Sequence, residues 1–323
     1  MRAVIAEHTG SPDVLQPVDL PDPDPAAGQV LVAVEAAAIT FIDTQMRAGT
    51  SPRPLEPDAF PLVLGNGVAG TVVALGADVD AGWLGAEVVT ATGGSGGYAT
   101  RAISAATDLH RIPSGLDVRS AAALLADGRT AIGLTDAARI QPGDTVAVTA
   151  AAGGVGSLVV QLARNAGATV VALAGDDRKL DHARSLGAGA AVNYRHPDWP
   201  RQLADIAPGG LDVAFDGVGG DTSRHLFDRI APGGRYLPHG AASGAWGDVD
   251  AGLAASRGVT VVPLSAIGGG PDDLHRLIEA ALQQAASGQI RPTIGQTYPL
   301  DRAADAHAAI EARATLGKTL LIP

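Results

Sequence analysis

The sequence predicts an α/β protein built on a doubly wound parallel sheet, with a mostly β region before it. Three observations carry this. From about residue 120, short apolar runs alternate with helical patterns. A glycine-rich turn, Thr149 to Gly156 reading T-A-A-A-G-G-V-G, joins one such run to a helical segment. Before residue 118 the apolar segments are short, alternate with polar positions and are broken by Pro and Gly clusters.

In the later region six strands are expected, over residues 145–149, 169–173, 191–193, 211–215, 234–237 and 259–263. Helical stretches lie between them. One runs over 177–186 and is closed by Gly187; another runs over 221–230 and is closed by Pro232-Gly233-Gly234. Strands joined by crossover helices make a parallel sheet wound on both faces. In the earlier region, 30–34 and 70–75 read as strands, and the proline-rich stretches 21–25 and 52–61 read as loops. A helix over about 272–286 then precedes Ile290-Arg291-Pro292-Thr293-Ile294, and the chain is expected to return to its first domain. The expected division is 1–118 with 265–323, and 119–264.

Composition narrows the function. With 323 residues, 46% hydrophobic and 18% charged, the chain suits two globular domains. Its net charge of -11, with the acids scattered, leaves no basic face for a nucleic-acid backbone. The N-terminal Met1-Arg2-Ala3-Val4-Ile5-Ala6-Glu7-His8 lacks the apolar stretch of a signal peptide, and no run of apolar residues is long enough to span a bilayer. A cytoplasmic protein without membrane partners is expected. There is no cysteine, hence no disulfide, no thiolate nucleophile and no thiolate-bound zinc or iron-sulfur cluster.

The turn points to a dinucleotide. Gly153 and Gly156 fill the second and third slots of the G-x-G-x-x-G spacing, and Ala151 fills the first. Backbone without side chains can approach a pyrophosphate, which then sits on unpaired amides and the positive end of the helix dipole. Ala152, Gly153, Gly154 and Val155 are the contacts this implies. Glycine is 42 of the 323 residues, so the strand and helix around the pattern carry the inference, and a purely structural tight turn is the alternative.

Several motifs stand in a consistent order: Phe41-Ile42-Asp43-Thr44 with Arg47-Ala48-Gly49, Gly96-Gly97-Tyr98-Ala99, Gly128-Arg129-Thr130-Ala131, the A-A-x-G-G-V-G turn, and Asp216-Gly217-Val218-Gly219-Gly220. The tail runs from Tyr298-Pro299-Leu300 through Ala306-His307 to Arg313 and Gly317-Lys318. Together, over nearly the full length, they resemble the zinc-independent quinone oxidoreductase (zeta-crystallin-like) branch of the medium-chain dehydrogenase/reductase superfamily. The resemblance implies a Rossmann dinucleotide-binding domain with a mostly β GroES-like catalytic domain. Zinc alcohol dehydrogenases of that superfamily hold their catalytic metal with a cysteine, a Gly-His-Glu segment and a second cysteine. Here the corresponding stretch reads Gly65-Asn66-Gly67 and cysteine is absent, so the ligands of that Lewis acid are missing.

The resemblance also implies the cofactor. NAD enzymes place an acid at the end of the second strand to bind the ribose hydroxyls; here that position is Ala174, followed by Gly175. Lys179 and Tyr194 match positions where the family holds a 2′-phosphate, and Arg178 adds a cation. NADPH is therefore expected. Lys179 and Lys318 are the chain's two lysines, and both fall in stretches that line the family's cofactor cleft. Lys179 as a solvated helix residue is the plainer alternative, and Asp176 and Asp177 oppose a phosphate unless they point away. Thr130, Val155, Gly217, Val218, Gly219, Gly240 and Ser243 would line the nicotinamide and diphosphate path, His239 stands where an aromatic ring is common, and Arg313 would close the path near the C-terminus.

At the family's substrate cleft the pattern changes. An Asn and tyrosines are replaced by Thr40, Gln45 and Ser51, which substitutes small polar groups for flat stacking surfaces. Hydride transfer needs alignment, exclusion of water and donors for the oxygen that becomes negative. Thr40, Gln45 and Thr130 are the expected donors. Asp43 reads as a general acid or, preferably, as an acceptor tying its loop; His239 reads as a proton donor or a pocket wall. The expected reaction is NADPH-dependent reduction of a quinone or an α,β-unsaturated carbonyl. A pathway-specific enoyl reductase and an NADPH-binding protein with little catalysis remain alternatives, while the β-rich first domain and the tail motif count against a methyltransferase. The edge of the sheet makes a homodimer the expected assembly.

Overall fold

The computed structural model describes residues 1–51, 59–247 and 249–323. Most of the proline-rich stretch 52–61, and residue 248 in the loop before Asp250, lie outside the described residues.

The chain begins with β1 (Arg2–Ala6), β2 (Leu15–Asp19), β3 (Gln29–Ile39), α1 (Phe41–Ala48), β4 (Leu62–Val63), β5 (Gly67–Leu75), β6 (Glu87–Ala91), β7 (Arg101–Ala105), β8 (His110–Arg111) and α2 (Val118–Ala138). It continues through β9 (Thr145–Thr149), α3 (Gly154–Asn165), β10 (Thr169–Ala174), α4 (Asp177–Ser185), β11 (Ala190–Asn193), α5 (Trp199–Ile206), β12 (Leu211–Asp216), α6 (Gly220–Asp228), β13 (Ile230–Pro238), α7 (Ala251–Ser256) and β14 (Thr260–Val261). It closes with α8 (Pro271–Ala286), β15 (Ile294–Pro299), α9 (Ala303–Glu311) and β16 (Lys318–Ile322). Two compact units result, residues 1–126 with 278–323 and residues 127–277, so the divisions fall inside α2 and α8.

In the first unit a sheet of order β15-β16-β3-β5-β6-β8, with β7 also on β3, accompanies a smaller sheet β2-β1-β4. The long strand β3 organises it, pairing antiparallel with β5, β7 and β16. Gly70 permits the β3–β5 approach: a Cβ there would lie 2.0 Å from the Ala33 carbonyl oxygen, next to the register shift between Val34 and Ala36. Val4, Leu15, Leu64, Val68, Tyr98, Leu300 and Leu321 form the main core.

In the second unit six parallel strands take the order β11-β10-β9-β12-β13-β14. Because helices cover both faces of such a sheet, its strands read as apolar runs rather than alternations, as in Val146-Ala147-Val148 and Val170-Val171-Ala172-Leu173, all buried. Leu173, Val192, Trp199, Leu203, Leu211, Leu226, Phe227 and Tyr236 fill one side. The direction of winding reverses between β9 and β12, the switch point at which open α/β sheets leave a crevice beyond the strand ends.

Two expected elements change. The helix expected over 221–230 ends at Asp228, and Ile230 already pairs with Leu211. Pro232-Gly233-Gly234 is therefore no helix stop but an irregularity inside β13: the register passes from Leu211↔Ile230 to Val213↔Arg235, with Gly233 at φ +85° turning the extra residues outward. The strand expected over 259–263 shortens to Thr260–Val261, since the chain enters a 3₁₀ turn after Pro263. Leu203, fully buried on α5 among these side chains, tests the packing. Leu203→Ala should lower the unfolding free energy by about 2–5 kcal/mol in a denaturant titration; a loss under about 1 kcal/mol would contradict the packing described.

Candidate functional site

The second unit gathers its glycine segments at the C-terminal ends of β9, β12 and β13. After β9, Ala150 takes a left-handed conformation (φ +48°) and its carbonyl accepts the Gly153 amide at 2.8 Å. The Ala151 amide donates to the Leu173 carbonyl at 3.2 Å, tying the turn to β10. α3 starts immediately after Gly153. A Cβ on Gly156 would fall 2.3 Å from the Ala150 oxygen, so the first turn of α3 packs on bare backbone. A Cβ on Gly153 would meet only that same oxygen, at 3.2 Å. Gly153, Gly154 and Val155 are half-buried, while Ala151 and Ala152 are buried. Asp127, which the motif reading passed over, stands against this helix start: a Cβ on Gly154 would lie 1.8 Å from its Oδ2.

The second glycine segment hangs on Asp216, a carboxylate with no exposed surface. Its Oδ1 accepts from Thr149 Oγ1 at 2.7 Å and from the amides of Val218 at 3.0 Å and Gly219 at 3.3 Å. Its Oδ2 accepts from Ser223 Oγ and, at 2.7 Å, from Tyr236 Oη. Burial alone would raise its pKa, but the Ser223, Thr149 and Tyr236 hydroxyls and the Val218 amide together hold it below the ordinary 3.8. The Gly217 amide donates to Thr149 Oγ1 at 2.9 Å, and the Gly217 and Val218 carbonyls accept from the Ala242 and Ser243 amides. Gly217, Val218 and Gly219 are all buried and their amides are taken by Thr149 and Asp216, so they offer a ligand no amide donors. Gly240 closes over them, since a Cβ there would lie 2.8 Å from the Gly217 oxygen.

His239 is half-buried beside Gly217, whose Cβ would stand 3.0 Å from Nε2. Burial lowers the imidazole pKa, so the ring is neutral. Its Nδ1 lies 3.3 Å from the Leu237 carbonyl, an acceptor, which assigns the hydrogen to Nδ1 and leaves Nε2 as a lone pair. His239 can accept there but has no proton to give.

At the end of β10, Gly175 is buried under Tyr194 and Arg195. Asp176 caps α4, accepting the Lys179 amide at 2.9 Å, and its other oxygen lies 3.4 Å from Lys179 Nζ. Asp176 therefore faces Lys179 instead of pointing away. Arg178 is exposed on the same helix. The motif reading missed Arg195, and the only sequence signal for it was its adjacency to Tyr194.

Thr40, Gln45 and Arg313 belong to the first unit; Thr130, on α2, belongs to the second. The Thr40 amide and Oγ1 both donate to Asp43 Oδ2 at 2.7 Å, which makes Asp43 the tie of its own loop. Thr40, expected as a donor to substrate, has its hydroxyl hydrogen on Asp43 and presents lone pairs instead. Gln45 is half-buried one turn on, and Phe41 and Ile42 are exposed between them. Behind Asp43 lies a buried polar cluster. Burial raises the Asp43 pKa against the Thr40 amide and hydroxyl and the charge of buried Lys318. Burial, then the Asp43 charge, pushes Tyr98 well above its usual 10.0, and Tyr98 Oη lies 2.9 Å from His307 Nε2. Burial, with the Arg47 charge, drives His307 down to about 3.

Asn66, in the segment where zinc enzymes keep a ligand, clamps a loop: its Oδ1 accepts from the Thr92 amide at 3.2 Å and the Gly94 amide at 2.6 Å. Among the described residues no three His, Asp or Glu side chains gather as a metal-holding group. Arg313 follows α9 in a left-handed conformation (φ 55°), exposed, as a residue that ends a helix. No helix among the described residues is long and apolar enough to cross a membrane.

Comparison with known proteins identifies relatives of the chain. The chain matches a family model described as an alcohol dehydrogenase GroES-like domain over residues 26–114 and one described as a zinc-binding dehydrogenase over 154–283. It is similar to a quinone oxidoreductase of Pseudomonas aeruginosa, 33% identical with 97% of each chain covered. It is also similar to a 2-haloacrylate reductase of Burkholderia sp, 31% identical over 100% of this chain and 99% of the other. Among solved structures, it resembles an Escherichia coli quinone oxidoreductase complexed with NADPH, at a TM-score of 0.91 and 32% identity with both chains fully covered.

Two substitutions probe the buried groups. Asp216→Asn should cost about 2–4 kcal/mol at neutral pH. The Asp216 contribution is complete above the unfolded value of 3.8 and lost as pH falls through the lower folded value, so the variant should show less acid-range loss in denaturant titrations than the parent. His307, with a folded value of about 3 against 6.5 unfolded, binds its proton only in the unfolded chain between those limits. Stability should fall there with decreasing pH by up to about 1.4 kcal/mol per unit more than in His307→Gln. Equal slopes would remove the neutral buried imidazole.

Proposed function

The chain belongs to the quinone oxidoreductase branch of the medium-chain dehydrogenase/reductase superfamily and is an oxidoreductase, and we propose that it transfers hydride from NADPH to a quinone or an α,β-unsaturated carbonyl without a metal. The observation that carries this reading is the half-buried start of α3 at Gly153 and Gly154, bare backbone beyond the end of β9, where a Cβ on Gly153 would meet nothing but the Ala150 oxygen. Such a surface fits the close approach of a dinucleotide. The solved structure complexed with NADPH supports the choice of cofactor, as does the basic and phenolic setting of Gly175.

NADPH supplies the hydride; the protein aligns and shields it. Gly153, Gly154 and Val155 at the start of α3 would hold the diphosphate, with Ala152 behind them. Gly217, Val218, Gly219, Gly240 and Ser243 would border the path, and Lys179, Arg178 and Tyr194 its 2′-phosphate end, with Arg313 closing it. With the Thr40 hydroxyl hydrogen on Asp43, the proposed donors for the acceptor oxygen are Gln45 and Thr130, and Thr40, left with lone pairs alone, is not one of them. Exposed Phe41 and Ile42 favour an apolar acceptor. The metal-free reading rests on the donor set, since Asn66 binds backbone amides and cysteine is absent. The short edge strand β14 suits pairing with a second copy of the chain.

A second reading is a pathway-specific enoyl reductase; the similarity to a 2-haloacrylate reductase supports reduction of a conjugated alkene in either reading. Purified protein assayed for NADPH oxidation with 1,4-benzoquinones, alkenals and enoyl thioesters distinguishes them. Turnover of quinones or simple alkenals is expected. Activity confined to enoyl thioesters would establish the second reading, and tight NADPH binding with no turnover of any acceptor would sink both.

A further inference from the structure

We infer that Arg195 is the residue that selects a 2′-phosphorylated dinucleotide, because its guanidinium lies over Gly175, the residue next to Ala174, where sites selective for a free ribose keep a carboxylate. The inference rests on the dinucleotide reading above and concerns one end of that site. Gly175 follows the last residue of β10, and dinucleotide folds reserve the end of that strand for an acid that binds the ribose hydroxyls. A Cβ on Gly175 would lie 3.0 Å from Arg195 Nε and 3.3 Å from both Tyr194 Oη and Tyr194 Cε2. The volume of a side chain at 175 is thus already filled, by a cation and a phenol.

The backbone holds them there. The Tyr194 amide donates to the Ala174 carbonyl at 3.1 Å, and the Arg195 amide donates to Asn193 Oδ1 at 3.0 Å. The turn after β11 is therefore tied to the end of β10 by a main-chain bond and to its own strand by a side-chain acceptor. These bonds fix the main chain from which the Tyr194 and Arg195 side chains project.

Lys179, the residue the sequence singles out, is differently placed. Its side chain is only 14% exposed and its Nζ lies 3.4 Å from Asp176 Oδ2, while Asp176 is fixed by capping α4. A phosphate beside this pair meets a cation and an anion at similar range, and the two contributions largely cancel. Arg195 is exposed and makes no ion pair among the described residues. Asp177 and Arg178, both exposed on α4, carry opposite charges next to one another. A guanidinium can meet a phosphate with two parallel hydrogen bonds, where an ammonium acts as a point charge. With a free ribose, Arg195 stays hydrated and contributes little.

Equilibrium titrations of NADPH and NADH, followed by calorimetry on the parent protein, Arg195→Ala, Arg195→Lys and Lys179→Ala, test this without reference to turnover. The parent should prefer NADPH. Arg195→Ala should weaken NADPH about 10- to 100-fold and leave NADH within about twofold; Arg195→Lys should recover part of the loss, and Lys179→Ala should weaken NADPH less than Arg195→Ala does. A parent preference that survives Arg195→Ala, or is abolished by Lys179→Ala alone, would overturn the role of Arg195 while leaving the cofactor reading standing. A parent protein with no preference would overturn both.

Discussion

The Asp216 carboxylate is the constraint on which the rest of the second unit depends. It lies fully buried at the end of β12, and its two oxygens gather Thr149 from β9, Ser223 from α6, Tyr236 from β13 and two amides of the intervening turn. A buried charge is tolerable only when so many donors satisfy it, and each donor is fixed in return. The Gly217, Val218 and Gly219 amides are all turned inward, and the segment itself is buried. The following loop packs on the same network: a Cβ on Gly247 would meet Ser223 Oγ at 2.1 Å, and one on Gly219 the Ala245 oxygen at 1.9 Å.

Two buried carboxylates show how donor count sets the direction of a pKa shift. Asp216 has three hydroxyls and two amides, enough to outweigh burial and hold its pKa low. Asp43 in the first unit receives the Thr40 amide and hydroxyl with help from Lys318 and Tyr98, and burial prevails. The difference bears on chemistry, because the hydrogen of Thr40 follows Asp43. His239 and His307 are held neutral by the same desolvation, which makes the one an acceptor beside Gly217 and the other a partner of Tyr98. Neither histidine is placed as a charged acid.

Much of the fold is legible in the chain because burial on both faces leaves a local trace. The strands β9, β10 and β12 read as apolar runs closed by glycine or polar residues, and the turn after β9 reads directly, since only small residues allow α3 to begin so close to Ala150. The junction of α6 and β13 did not read correctly. Pro232-Gly233-Gly234 carries the local signal of a helix stop, yet pairing of Ile230 with Leu211 absorbs it as a bulge. Pairing between strands distant in sequence outweighed the local signal.

The sequence by itself determined the parallel sheet, the glycine approach surface and the absence of the thiolate ligands on which the related zinc enzymes depend, because each follows from residue type and spacing along one stretch of chain. Only the tertiary structure decided what the polar groups do. That Asp176 faces Lys179, that Arg195 and Tyr194 fill the volume above Gly175, and that the Thr40 hydroxyl turns to Asp43 depend on side-chain directions and on contacts between separate turns. Hydrogen bonding is directional and pairwise, so its outcome is set where chains meet rather than where motifs are read.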